Sequence, residues 1–162
     1  MEKFVISLVE ISEKEFYLAP QENLKVSQKK LNLGFSFEFK WEENTDFIEI
    51  VPTIVYLYID NQINQELMKF KTVFKFQIKN LKNYISIDKE KINIPDSISN
   101  IIISTSISSM RGMLYYKTSG TYMSRFLIPL LDSKFFVNGI NEKNKNIDNL
   151  GVFTDKKKKI RN

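Results

Sequence analysis

Residues 69–79 read KFKTVFKFQIK, and this stretch decides the class of fold. From Phe70 to Ile78 every second residue is apolar or Thr, and the other face carries Lys71 and Lys75, with Lys69 and Lys79 just beyond the two ends. Successive side chains of a strand point to opposite faces of a sheet. The period of two therefore predicts a strand with one buried face and one basic face in contact with solvent.

Three earlier segments have a related pattern. Phe4–Val9 alternates, Phe35–Trp41 places four aromatics on one face, and Phe47–Ile59 is apolar on both faces near its end, as in a covered central strand. Pro52 cannot donate a ladder hydrogen bond, so we expect a bulge or a sheet edge there. The polar segments 42–46 and 60–62 are short, which favours antiparallel neighbours.

The pattern changes after residue 94. Pro95 is followed by Asp96 and Ser97, which are typical N-cap residues, so a long helix is predicted to begin here. An apolar stripe then runs beside a strip of small residues, which would allow a second helix to approach closely, and residues 132–136 suggest a short C-terminal helix. The stripe is Ile103, Ile107, Met110 and Leu114, and the small strip is Ser104, Ser108 and Gly112. The predicted fold is α+β: a four-stranded antiparallel sheet, one long helix and a short C-terminal helix.

The composition restricts the chemistry. The chain has 162 residues, no His and no Cys, which excludes Ser-His-Asp and Cys-His triads, zinc ribbons and iron–sulfur clusters. The five glycines are too scattered for a phosphate-binding loop. The acidic cluster Glu42, Glu43 and Asp46 lies in a predicted turn, where solvated acids are ordinary. We therefore predict no enzymatic activity, no catalytic residue, no metal and no cofactor.

The positive charge is concentrated at the C-terminus. Residues 141–162 contribute +4 of the net charge of +5, so we expect one domain over residues 1–140 and a basic, disordered tail over 141–162. The run Lys156–Lys159 and the lysines of 69–79 keep open the alternative of a non-enzymatic nucleic-acid-binding module. The sequence has neither a signal-peptide h-region nor a membrane-spanning run, which predicts a cytoplasmic protein with no membrane insertion.

Several segments, in order along the chain, resemble the SecB family of export chaperones. The segment Phe4–Phe16 followed by Ala19-Pro20 is similar to the family's opening strand and its corner. Arg111-Gly112 resembles the Arg-Gly signature that closes the family's long helix, and Leu127–Phe136 resembles the segment before its last helix. The resemblance covers nearly the whole predicted domain.

This resemblance implies a chaperone that uses no ATP and binds unfolded polypeptide in apolar grooves. It also implies a homotetramer, arranged as a dimer of dimers, with long helices packed at its centre. By position in the family, the client groove would include Trp41, Phe74, Phe76, Ile78, Tyr84 and Ile87. The residues expected to pack between subunits are Ser104, Ile107, Ser108 and Gly112.

The charge of the chain departs from the family pattern. Export members are acidic and dock on the ATPase SecA, whereas this chain is basic, which argues against SecA as a partner. Other SecB-like proteins accompany toxin–antitoxin pairs, some of them in phage defence, and protect an aggregation-prone antitoxin. The client could thus be an exported protein or an antitoxin. Arg111 has two interpretations, a favourable interaction with the helix macrodipole or a partner carboxylate across a subunit boundary.

Overall fold

The computed structural model describes residues 5–20, 26–42, 45–60, 63–88, 91–130 and 151–153. Four long strands come first, β1 (Ile6–Leu18), β2 (Leu31–Trp41), β3 (Phe47–Asp60) and β4 (Ile63–Ile78). A small hairpin follows, formed by β5 (Ser86–Asp88) and β6 (Lys91–Asn93), and then the helix α1 (Asp96–Thr118). A last strand, β7 (Gly151–Phe153), lies within the segment predicted as a basic tail. The predicted short helix at 132–136 lies outside the described residues.

The main sheet has the strand order β1-β4-β3-β2-β7, and every pair in it is antiparallel. The predicted four-stranded antiparallel sheet followed by one long helix is confirmed. Its two hairpins, β2–β3 and β3–β4, arise from the short polar connections that the sequence indicated. The short β7 extends the sheet beyond β2.

The two faces of the sheet differ as the period of two predicts. On β4, the even-numbered positions from Phe70 to Ile78 are at most 1% exposed, because they face α1 across the core. Lys71 and Lys75, which lie between them, are on the opposite face and are partly exposed. On β2, Phe35 is buried and the next three aromatics of the same face are partly buried, while Ser36, Glu38 and Lys40 are exposed.

Pro52 lies in β3, a central strand, and not at a sheet edge. The β2–β3 register runs without a shift past the pair Phe37–Pro52. Between β3 and β4 the paired residues stop at Ile50 and resume at Thr53 in the same register, and the bulge lies at Tyr56/Leu57. The expectation of a bulge or an edge at Pro52 is therefore wrong: the missing donor interrupts the ladder locally without changing the register.

Helix α1 covers the sheet with one side. Its buried positions include Ile103, Ile107, Met110 and Leu114, as the apolar stripe predicts. The helix begins differently from the expectation: Pro95 is the N-cap, no side-chain cap hydrogen bond forms, and the Pro95 carbonyl accepts from the amides of Ile98 and Ser99. The predicted capping by Asp96 or Ser97 is wrong, and the carboxylate of Asp96 instead lies in the first turn, next to the positive end of the helix.

Replacing Phe74 by Ala should lower the free energy of unfolding by about 3–5 kcal/mol, because it leaves a cavity between the sheet and α1. Phe74 is 0% exposed. Urea denaturation followed by circular dichroism measures the change. Tyr17→Ala, in which the side chain is 42% exposed on β1, serves as the control and should cost less than half as much. Equal losses in the two variants would contradict this description of the core.

Candidate functional site

The outer face of the sheet carries charges that alternate in sign. Lys69 Nζ lies 3.0 Å from Glu15 Oε2, and Lys71 Nζ lies 3.2 Å from Glu38 Oε1. Hydrogen bonding to Glu15 raises the pKa of Lys69. Lys69 and Lys71 are therefore paired with carboxylates of β1 and β2, which neutralises part of the basic face expected from the β4 sequence.

The same alternation crosses all four long strands in one row. Register places Glu10, Lys75, Glu49 and Lys40 side by side on β1, β4, β3 and β2. They line a shallow cavity of about 160 Å³, together with Lys14 and two uncharged residues. Lys75 also lies 5.0 Å above the ring of Phe47. A surface of alternating charges suits neither a polyanion nor an apolar ligand.

The outward side of α1 has a different character, because it carries no charged side chain at its centre. Ser104, Ser108 and Gly112 are exposed and follow one another along this side, and a Cβ added at Gly112 would have open space around it apart from the adjoining backbone of the helix. A surface helix normally presents charged residues to solvent. Among the described residues, nothing covers the strip predicted for subunit packing.

Large apolar side chains extend the uncharged side of α1 at both ends. Ile101 is 43% exposed near its start, and Tyr115 and Tyr116 are 60% and 83% exposed near its end. Ile107, the fourth residue predicted for subunit packing, is only 6% exposed and belongs to the buried side of the helix. We name the outward set the α1 outer face: Ile101, Ser104, Ser108, Gly112, Tyr115 and Tyr116.

Arg111 lies at the flank of the α1 outer face. Its Nε donates to the carbonyl of Ile128 at 3.0 Å, and its Nη2 donates to the carbonyl of Pro129 at 2.6 Å. The residue lies about two turns before the helix end at Thr118, beyond the reach of the terminal dipole, so the macrodipole interpretation is wrong. Within the chain, Arg111 instead holds residues 128–129 against the helix, which leaves Leu127 and Leu130 51% and 88% exposed.

Two tyrosine hydroxyls form hydrogen bonds that connect the segment after α1 to the sheet and to the residue that follows β1. The Tyr56 hydroxyl donates to the carbonyl of Phe126 at 3.0 Å, and the Tyr122 hydroxyl donates to the carbonyl of Ala19 at 2.9 Å. Burial raises the pKa of Tyr56 well above its ordinary value and raises that of Tyr122 as well. Both phenols are therefore neutral donors throughout the physiological range.

The client-groove residues predicted by the resemblance differ in burial. Phe74, Phe76 and Ile78 are 0%, 1% and 0% exposed in the core, so a client could reach them only if the covering elements moved. Trp41 and Tyr84 are partly buried at one end of the sheet. Ile87 belongs to β5, but its side chain lies outside the described part of the structure.

Trp41 and Tyr84 are placed at the same end of the sheet by their loops. The indole N–H of Trp41 donates to the carbonyl of Thr45 at 3.2 Å, and the amide of Leu81 donates to the carboxylate of Asp46 at 3.1 Å. This second bond joins the turn before Tyr84 to the turn after Trp41. The structure thus brings these two predicted residues to one region of the surface.

Two further aromatics, Phe37 and Phe39, share the face of Trp41 on β2 and are partly buried against the core. We name Phe37, Phe39, Trp41 and Tyr84 the aromatic rim. The period of two placed Phe37 and Phe39 on the face of Trp41, but the sequence did not mark them as candidates for ligand contact. Their partial exposure depends on β2 lying near the sheet margin, which is a property of the strand order.

No protein-family model matches the chain, and no curated protein matches it in sequence. Within the described ranges, no helix is long and apolar enough to cross a lipid bilayer. The same described residues contain no group of three or more acidic side chains placed to hold a metal ion.

The stability of the protein should fall as the pH rises above about 10, the pKa of an unperturbed tyrosine. A pKa that is higher in the folded state means that the folded chain keeps the proton, so this stabilisation is complete below pH 10 and is lost at higher pH. Tyr56→Phe should remove part of the alkaline loss of unfolding free energy, because Phe cannot ionise. Urea denaturation at pH 8 and pH 11 measures it. An identical alkaline loss in the variant would contradict the burial of an ionisable phenol at this position.

Proposed function

We propose that this protein is a SecB-like chaperone, which binds non-native polypeptide without ATP and acts in the cytoplasm as a homo-oligomer. The observation that carries client binding is the partly exposed aromatic rim. The homo-oligomer rests on the uncharged α1 outer face, in a chain in which 27% of residues are charged. Exposed aromatic side chains and uncharged helix surface are typical of interaction sites. The order of strands followed by one long helix is compatible with the SecB resemblance of the sequence.

The α1 outer face fits packing between subunits better than client binding. Its middle consists of Ser104, Ser108 and Gly112, which would let a second helix approach closely, and its ends carry large apolar side chains. Close approach of two helices needs small residues at the crossing point. We therefore propose that α1 packs against α1 of another subunit, in a tetramer built as a dimer of dimers.

The aromatic rim fits client binding. Its four members are large, partly accessible and free of formal charge, which suits sequence-tolerant contact with apolar segments of an unfolded chain. The groove would then use Trp41 and Tyr84 as the resemblance implies, with Phe37 and Phe39 beside them. An exported protein or an antitoxin are the candidate clients, and the charge-matched sheet face offers no acidic surface for SecA.

The nucleic-acid alternative receives little support from the body of the protein, because the lysines of β4 lie beside carboxylates. It would have to rely on Lys156–Lys159, which lie outside the described residues. The two functions differ in their response to salt: binding to phosphates weakens steeply as salt rises, whereas burial of apolar surface does not.

The first test is suppression of aggregation of a chemically unfolded protein without ATP, at 50 mM and 500 mM salt, with the mass measured by light scattering in the same samples. We expect suppression at both salt concentrations by a species near four chains. A monomer that suppresses no aggregation and binds nucleic acid only at low salt would contradict the chaperone proposal.

Ser108→Arg should lower the oligomeric mass while leaving the fold intact, because the side chain points to solvent within one chain but would lie at the helix crossing. In a symmetric contact, the arginine of one helix would face the same arginine of the partner helix, and the two positive charges would repel each other. Ser36→Arg, an exposed serine on the outer sheet face, is the matched control and should keep the mass of the unmodified protein. A Ser108→Arg variant of unchanged mass would remove α1 from the interface.

Trp41→Ser should weaken binding of an unfolded client by about five- to thirtyfold, equivalent to about 1–2 kcal/mol for one aromatic anchor. Phe47→Ser is the control, since Phe47 is 37% exposed on the opposite face of the sheet. Anisotropy of a labelled unfolded polypeptide measures both dissociation constants, and circular dichroism checks the fold. Equal affinity in the two variants would exclude the rim as the binding surface.

A further inference from the structure

The two margins of the four long strands are built differently. Strand β1 pairs with β4 through two register shifts, between Leu8 and Glu10 and between Glu13 and Glu15. Bulges and charged residues on an edge strand disfavour the addition of another strand. Strand β2, at the other margin, pairs with β3 in one unbroken register over 11 residues, from Leu31 to Trp41. The outer side of β2 is therefore more regular than that of β1 and is better suited to pair with a further strand.

Strand β7 shows that this template accepts a strand. Gly151, Val152 and Phe153 pair antiparallel with Phe35, Gly34 and Leu33 of β2. With three residues, β7 is shorter than the usual strand of about five or six, so few backbone hydrogen bonds hold it. A longer strand in the same register would continue along β2 toward Trp41 and would pass the aromatic rim.

We infer that the outer side of β2 is a strand-addition site for an extended polypeptide segment, and that β7 occupies it when no such segment is bound. The inference rests on the proposed function for the identity of the segment, a stretch of non-native polypeptide. Backbone hydrogen bonds to β2 accept any sequence except proline-rich ones, and alternate side chains of the added strand face the aromatic rim. This combination selects extended apolar segments without reading a specific sequence.

The occupancy of the site by β7 has a measurable consequence. When a binding site is free in only a fraction of the molecules, the apparent affinity equals the intrinsic affinity multiplied by that fraction. Displacing β7 by mutation should therefore raise the affinity for an added strand. The double variant Val152→Pro/Phe153→Pro removes backbone donors at two successive positions of β7, so it disrupts pairing whichever of the two residues bonds to β2. Lys157→Pro/Lys158→Pro carries the same change beyond β7 and is the matched control.

The probe is a fluorescein-labelled synthetic peptide with the sequence of residues 148–155, DNLGVFTD, titrated with each full-length protein and followed by anisotropy. We expect the β7 double variant to bind it about tenfold more tightly than the unmodified chain or the control variant, and a scrambled peptide to bind none of them. We also expect the chemically unfolded protein of the aggregation assay to displace the labelled peptide.

Two results would overturn the inference. Equal affinity of the β7 double variant and the unmodified chain for the peptide would mean that β2 accepts no strand in trans. Peptide binding that the unfolded protein fails to displace would mean that the site takes no non-native polypeptide. Displacement of the peptide, in a protein that suppresses no aggregation, would support the strand-addition site while contradicting the proposed chaperone function, so the two proposals can fail separately.

Discussion

The packing of α1 on the aromatic face of the central strands is the interaction on which the rest of the structure depends. Phe70, Phe74 and Phe76 of β4 are at most 1% exposed, and so are Ile102, Ile103 and Met110 of the helix. A sheet this large cannot remain in water with one apolar face uncovered, because burial of such side chains is the main favourable contribution to folding. The helix covers that face, and the Tyr56, Arg111 and Tyr122 hydrogen bonds then hold the following segment beside it.

This arrangement leaves each remaining surface with a distinct character. The outer face of the sheet carries charges of both signs that pair across strands, as in Lys69–Glu15 and Lys71–Glu38, beside exposed apolar side chains such as Tyr17 and Phe47. The outward side of α1 is the opposite, with small and apolar residues and no central charge. This contrast in charge is the physical basis of the proposal that α1 packs against another subunit.

The margins of the sheet show a second contrast. Strand β1 carries bulges and four charged residues between Glu10 and Glu15, which disfavour further pairing. Strand β2 is regular and already pairs with a short segment from the far end of the chain. The aromatic rim lies along this same strand, so backbone pairing and apolar contact would act on one bound segment. The strand-addition site thus joins two features that are separate in the sequence.

The sequence by itself determined the local structure and the identity of the buried face. The period of two at 69–79 and the apolar stripe from Ile103 to Leu114 depend only on side-chain direction along a strand or helix, so both were predictable from residue order. Other features required the tertiary structure, because they depend on which distant residues become neighbours. The pairing of the β4 lysines with carboxylates of β1 and β2, the bonds of Arg111 to residues 128 and 129, and the full burial of Phe74, Phe76 and Ile78 all arise from strand order and from the position of α1. Partial exposure of Phe37 and Phe39 was decided in the same way, since identical alternation on a central strand would have buried them.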